Sequence, residues 1–479
     1  MRTHTLRRAA GGFIGVALLI AGCSSTKHTA APTASSSTPA AAASAPATTA
    51  SSPAAAATTP ASAPAAASSA AASAPALPAG AENLTFWSWV PGIDKVVPSW
   101  NTANPMIHVT VSKPAQGDAL YTKLVAASKA HTAPDLVQIE YQALPTMVTQ
   151  SVVADISKDI GSAASDFSAG IWGQVTLGTG AVYAIPQDSG PMELYYRADL
   201  FQKYGLTVPT TWDQFASDAA LLKQKDPTAF LANFSAGDPG WFSGLAAQAG
   251  GKWWGLNGST WSVNINDAAT TKVANFWGNL VNKGQIDPQP DWTPAWNKAL
   301  DDGALVSWIS AAWAPGTISS SAPDTVGKWA MAPLPQWTAG ANVSGFWGGS
   351  TTAVTTDSKH AADAAKFAVW LNTDPQAVQG LVTDGGIYPA SKPGQAVPAL
   401  TTAPAYFSNQ PQFWSQASTI ASTAVGFTWG PDVNVAYSKW SDAFKAAIQN
   451  KSSFGTAINT VQTATVADMK NAGFTLAGG

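Results

Sequence analysis

The chain has 479 residues and a formal net charge of −3, with 11% of its residues charged and 46% hydrophobic. A soluble domain usually carries about a quarter charged residues, and no basic run follows the first eight positions, which excludes nucleic acid as the main partner because phosphates are bound by clustered Lys and Arg. One cysteine excludes a disulfide framework and a cysteine-based zinc cluster.

Arg2, Arg7 and Arg8 precede a short apolar run over residues 11–20, the pattern of an export signal. The lone cysteine, Cys23, follows Ile20, Ala21 and Gly22. That order resembles the lipobox of bacterial lipoproteins, which implies a signal peptide over 1–22, acylation of Cys23 and an anchor on the extracellular face of the cell membrane. More than one acyl chain is needed for such an anchor to hold. An ordinary secretory signal with an incidental cysteine is the alternative. Residues 24–80 are almost all Ala, Ser, Thr and Pro, without an aromatic residue and with Lys27 as the one formal charge. Such a segment has nothing to bury against the entropy of ordering it, so 23–81 reads as a lipidated cysteine followed by a disordered stalk.

From residue 82 the texture becomes aromatic and periodic. Residues 84–89 and the alternating 107–111 read as strands. A helix with Leu120, Leu124 and Ala127 on one face is expected from Asp118 to about Ala130, and 134–139 restarts a strand. This βαβαβ rhythm predicts a parallel sheet whose ligand loops follow the strand C-termini, where 87–89 and 140–142 lie. Two β-like runs flank a turn cluster at 188–191. Thr211 and Gln214 have capping-box spacing ahead of a helix that should stop by Asp226-Pro227. The run 345–354 reads as a strand behind a glycine-lined turn. After it comes a helix with Ala364, Phe367, Ala368 and Leu371 on its apolar face, ending near Asp374-Pro375.

The order of short motifs carries a resemblance over residues 83–476. Pro-Asp-Leu at 134–136 is followed by Tyr-x-x-Pro at 183–186 and by Leu-Tyr-Tyr-x-x-x-Leu-Phe-x-x-x-Gly at 194–205. Pro-x-Thr-Trp-x-x-Phe at 209–215, Ala-Ala-Trp-Ala-Pro-Gly at 311–316, Trp-Gly-Gly-Ser-Thr at 347–351 and Gly-Ile-Tyr-Pro-Ala at 386–390 complete the set. It resembles the extracellular solute-binding proteins of family 1, the sugar-binding lipoproteins of bacterial ABC importers related to maltose-binding protein. The resemblance implies a two-lobe α/β fold of the type II periplasmic-binding-protein kind, each lobe a mainly parallel sheet flanked by helices, with ligand in the cleft. Carried onto this chain, the N-terminal lobe is 82–190 plus 343–394 and the C-terminal lobe 192–337 plus 397–479, with 188–191 as the first crossing. It further implies an ABC permease as partner, and a monomer.

The side chains bear on the ligand. All 21 tryptophans follow residue 82. Indoles suit the apolar faces of a sugar ring, and short polar groups suit its hydroxyl rim. Most large aromatics are core residues, so the cleft candidates are those in Gly- and Pro-bearing loops: Trp87, Trp89, Trp241, Trp253, Trp254, Trp313, Trp347 with Gly348, and Trp429. The resemblance favours Trp313, Trp241 and Trp429, with Trp241 in a loop before a helix at 245–250. Glu140, Tyr141, Gln142 and Asp188 are the candidates for the rim, Asp188 having a turn-forming role as its alternative. Arg197 is the one arginine beyond residue 8, in a strand-to-helix segment where Asp199 can pair with it. Planar capture of carboxylate or phosphate usually recruits arginine, so a neutral sugar or oligosaccharide fits best. His108, His131 and His360 are scattered, so neither a metal nor another cofactor is expected. A secreted glycoside hydrolase, which needs two opposed carboxyls, and a wall-associated carbohydrate-binding protein are the alternatives to transport.

Overall fold

The computed structural model describes residues 77–426 and 428–478. The signal peptide, Cys23 and nearly all of the stalk lie outside them. The chain opens with β1 (Glu82–Trp87), a helix over Ile93–Ala103, β2 (Ile107–Ser112), a helix over Gly117–Lys129 and β3 (Leu136–Glu140). Ile93, Val96, Val97 and Trp100 recur at i, i+3, i+4 and i+7 and form the buried stripe of the first helix. β1 pairs in parallel with β2 and with β3, as the βαβαβ rhythm requires. The second helix is capped at Gln116, two residues earlier than expected, and Asp118 sits in its first turn.

β4 (Ala184–Pro186) leads through a crossing at 187–191 into β5 (Met192–Arg197). A hairpin of β6 (Trp254–Asn257) and β7 (Thr260–Val263) follows, then β8 (Ser307–Ala311) and β9 (Trp329–Pro333). The chain returns through β10 (Ser344–Gly345) to β11 (Ser350–Val354), and β12 (Ala424–Val425) comes last. The sheets run β2-β1-β3-β11-β4 and β8-β5-β9, and β10 pairs with β12.

Two buried cores result. One gathers Leu84, Phe86, Val137, Ile139, Phe367 and Leu371; the other gathers Trp212, Phe215, Phe234, Trp277, Trp440 and Phe444. The second sheet corrects the expectation of mainly parallel lobes, because β5 is antiparallel to both its neighbours. The register explains this. Met192, the first residue of β5, lies opposite Ala311, the last of β8, so β5 leaves the crossing while β8 arrives at it. In the first lobe β11 plays the same part, antiparallel to β3 and β4. Each lobe thus holds one strand that has just crossed from the other, set among strands that run toward the crossing. With only three strands, the sheet β8-β5-β9 has no parallel pair left, and the second lobe's parallel pairing is the two-residue one of β10 with β12.

Lobe boundaries also shift. Val397 and Leu400 pack into the first core, beyond the expected limit at 394, whereas Phe407 belongs to the second. Residues 344–345, expected in the first lobe, lie on the second: Ser344 Oγ donates to the Met192 carbonyl at 2.6 Å, and Gly345 abuts Gly244. Around Arg197 and the cap at Thr211 the local expectations hold. Arg197 pairs with Asp199 at 2.8 Å. Thr211 Oγ1 accepts from the Gln214 amide at 3.2 Å, and Gln214 reaches back to the Thr210 amide, one residue short of a true box. That helix, Trp212–Lys225, stops at Asp226-Pro227.

Candidate functional site

The two crossings lie side by side. Trp347 N donates to the Gly190 carbonyl at 2.8 Å, and Pro191 bridges Phe346. Asp188 Oδ1 accepts from the Ser350 amide at 2.7 Å and from its hydroxyl at 2.5 Å. Asp188, expected on the rim or in a turn role, therefore latches the crossings together, and it is not among the residues lining the cavity between the lobes. Its neighbour Ser189 lines the cleft.

Between the lobes is a cavity of about 540 Å³, within the size range of small-molecule sites. Tyr141, Gln142 and Ile171 come to it from the first lobe and Ser243, Trp429 and Tyr437 from the second, with Gly348 at the crossing. Tyr141 and Gln142 arrive there because β3 ends at Glu140 and turns. The Tyr141 hydroxyl donates to the Asp188 carbonyl at 3.1 Å. Ser243 Oγ and Tyr437 OH lie 3.2 Å apart, and Trp429 packs edge-on to Tyr437.

Gly348 joins this cavity to an aromatic wall. Its φ of 69° favours glycine, and a Cβ there would stand 3.7 Å from Trp313 Nε1 and 3.9 Å from Glu140 Oε1. Trp313 Nε1 donates to the Trp347 carbonyl at 3.2 Å, and their rings are 4.8 Å apart. Trp308, Trp296 and Trp292 continue the packing. The wall stands beside Asp238, which caps the helix Pro239–Gln248 through the Trp241 amide at 3.1 Å and whose carboxyl pKa the Trp292 and Trp347 indoles lower.

Carboxyls gather here without a compensating arginine. Burial raises Glu140 to about 7, against hydrogen bonds from Tyr121 and Gln142 that lower it. Burial likewise raises Asp238 to about 6, and raises Asp291 to about 8 with help from the Asp238 charge. Asn233 donates to Asp291. Lys392 also lines the cavity and donates to the Ser165 carbonyl. Such carboxyls accept from ligand hydroxyls readily, whereas an anionic ligand would meet repulsion.

The other expected residues fall elsewhere. Trp253 is wholly buried in the second core, its indole donating to Thr270 Oγ1 at 3.0 Å, and Trp254 is buried beside it. These two are packing residues, Trp253 against Phe242 and Trp254 against Trp429. Trp241 stands in the first turn of its helix, not in a loop before it, since Asp238-Pro239 starts that helix early; its indole donates to the Ile309 carbonyl at 3.0 Å. Trp87 and Trp89 pack half-buried against the first core and are not among the residues lining the cavity. Among the described residues, no group of three or more His, Cys, Asp or Glu side chains is placed to hold a metal.

The profile of bacterial extracellular solute-binding proteins matches residues 86–378. The chain belongs to that family. It is 29% identical over 307 residues to a lactose-binding protein of Rhizobium radiobacter, a match covering 60% of this chain and 70% of the relative. Among solved structures it resembles the galacto-N-biose/lacto-N-biose I-binding protein of a Bifidobacterium longum ABC transporter, in complex with lacto-N-biose. Identity is 27% and the TM-score 0.75, covering 83% of this chain and 99% of that one. An ABC transporter-associated binding protein of B. animalis subsp. lactis, in complex with β-1,6-galactobiose, has the same TM-score and coverage at 25% identity. Two lobes around a cleft are thus the family's architecture, and these relatives are binding proteins, not enzymes.

Several residues in or beside this cavity escaped the sequence reading: Ser189 and Tyr437, which line it, and Trp292, Asp238 and Asp291 at the neighbouring tryptophan wall. A signal existed for Trp292. Trp292 lies in Gln-Pro-Asp-Trp-Thr-Pro at 289–294, a proline-bounded loop between two helices. The others are a helix cap (Asp238), a helix residue (Tyr437) and two loop residues (Ser189 and Asp291) whose placement depends on tertiary packing.

The raised carboxyls carry a stability consequence. A carboxyl with a folded pKa above its unfolded value near 4 keeps extra protons in the folded state, so its stabilisation is full below that value and lost as pH rises through the folded pKa. Glu140, Asp238 and Asp291 share that sign, as does Glu193, which burial raises to about 8. Asp226, lowered to about 2, has finished titrating by pH 5. Ligand-free protein is expected to melt several degrees lower at pH 8 than at pH 5, and Asp291→Asn to flatten the slope; a Tm that rises over this range would contradict the assignment.

Proposed function

We propose that this chain captures a neutral di- or oligosaccharide between its lobes and delivers it unchanged to the permease of an ABC importer. The observation carrying this reading is a cavity shared by both lobes, beside a tryptophan wall and buried carboxyls that favour uncharged hydroxyl-bearing ligands. The saccharides named for its relatives support it. Ligand touches both lobes only when they are shut, so binding shifts the population toward closure and no covalent step is needed.

Native mass spectrometry of the protein purified from its own host tests this: a mass increment equal to a neutral saccharide is expected. Paired carboxyls are also the equipment of glycoside hydrolases. Recovery of that saccharide intact after hours of incubation supports transport, and shorter sugars would support hydrolysis.

We read the protein as a monomer tethered through acylated Cys23, its stalk spacing the lobes from the membrane. Cys23→Ala is expected to move the protein from the membrane fraction into the medium; retention on the membrane would refute the anchor.

A further inference from the structure

We propose that Trp292 is a specificity-determining platform that binds the outer ring of a saccharide whose inner ring occupies the cavity, so that this residue selects for chain length. The inference rests on the saccharide reading given above.

Four observations support it. Trp292 is 53% exposed, the one exposed tryptophan among the described residues, yet its ring lies 5.3 to 6.1 Å from those of Trp296, Trp308, Trp313 and Trp347. A tryptophan left open to water while held against four others is a rigid apolar surface without a cover. Its backbone is at φ 63°, a region that bulky residues enter only when the surroundings impose it, and such residues cluster at ligand clamps. Its ring packs on Trp347, which in turn abuts the helix whose Gly240 and Ser243 line the cavity: a Cβ on Gly240 would stand 3.3 Å from the Trp347 ring. The plate is therefore joined to the cavity wall through Trp347. Finally, Trp292 is not itself a lining residue of the cavity. A ligand confined to the cavity would not cover it, whereas one that continues past Gly348 and the Trp313–Trp347 pair would.

Sugar rings present apolar faces, and stacking on an indole recognises the ring without demanding a particular hydroxyl pattern. The platform would reward an additional ring more than a particular one, while the cavity reads the inner residue by hydrogen bonds.

The test is calorimetry of wild type, Trp292→Ala and Trp292→Phe against galactose, lactose, β-1,6-galactobiose and linear trisaccharides, with weak monosaccharide binding followed by ligand-observed NMR. Trp292→Ala is expected to lose about tenfold or more in affinity for the di- or trisaccharide that wild type binds. Monosaccharide affinity should be unchanged, and Trp292→Phe should recover most of the loss. Near-UV circular dichroism of the variants verifies that the loop stays folded; should Trp292→Ala unfold, the Phe variant's chain-length preference decides. Equal loss for monosaccharide and longer sugars, or no loss for either, would overturn the inference while leaving the saccharide reading standing. Failure of wild type to bind any of the sugars would overturn both.

Discussion

Gly190→Ala is expected to be among the most damaging single-methyl changes in the folded part, costing about 3 kcal/mol or more and abolishing ligand binding. A Cβ at this position would stand 2.0 Å from the Trp347 carbonyl oxygen and 3.0 Å from its carbon, with Trp313 Nε1 at 3.1 Å. The neighbouring atoms belong to backbone and to a packed indole, so rotamer changes cannot relieve the clash. The crossings would have to part, breaking the 2.8 Å hydrogen bond from Trp347 N to the Gly190 carbonyl and displacing the wall that Trp347 and Trp313 form. Gly340→Ala is a useful control, since that glycine has φ 79° but nothing within 4 Å of an added Cβ. It should cost only the backbone penalty of about 1 kcal/mol and leave affinity unchanged. Thermal melts and titrations of the two variants check the pair; similar effects would mean that the crossings do not need to touch.

Trp313→Ala is the second large effect expected, a weakening of saccharide binding by about 100-fold, near 2.7 kcal/mol, with the fold retained. Trp313 caps the helix Ala314–Ser321 at the end of β8, half-buried between Trp347 and Trp308. Truncation removes the flat surface next to Gly348 and Glu140 and frees Trp347 to tilt. Because the ring is only partly buried, the stability loss should fall below the roughly 3–5 kcal/mol of a fully buried tryptophan. Trp253→Phe should behave in the opposite way, lowering Tm while leaving affinity intact, since Trp253 is sealed in the core. Unchanged affinity in Trp313→Ala would remove that residue from the site.

The same contrast shows what the sequence makes legible. Local rules placed β1, β2 and β3, the stop at Asp226-Pro227 and the Arg197–Asp199 pair, because each depends on residues a few positions apart. Tyr141, Gln142 and Gly348 reached the cavity because strand-end position is itself a local property. The antiparallel sheet of the second lobe was hidden, as it follows from β5 entering between strands more than a hundred residues downstream. Indole placement was hidden for a related reason. Trp253 and Trp292 both sit in polar, turn-rich surroundings, and only the tertiary packing that buries the first and leaves the second exposed separates a core residue from a platform. Asp188 has a polar turn context that suits ligand contact and crossing latch equally well; the latch becomes visible only with Ser350, 162 positions away.

The most direct measurement is calorimetric titration of the full-length protein with neutral saccharides, followed by chromatography of the recovered sugar. Saturable one-to-one binding of at least one di- or oligosaccharide is expected, lost in Gly190→Ala and weakened about 100-fold in Trp313→Ala, with the sugar returned intact. Absence of binding across neutral saccharides, or preference for an anionic ligand, would contradict it.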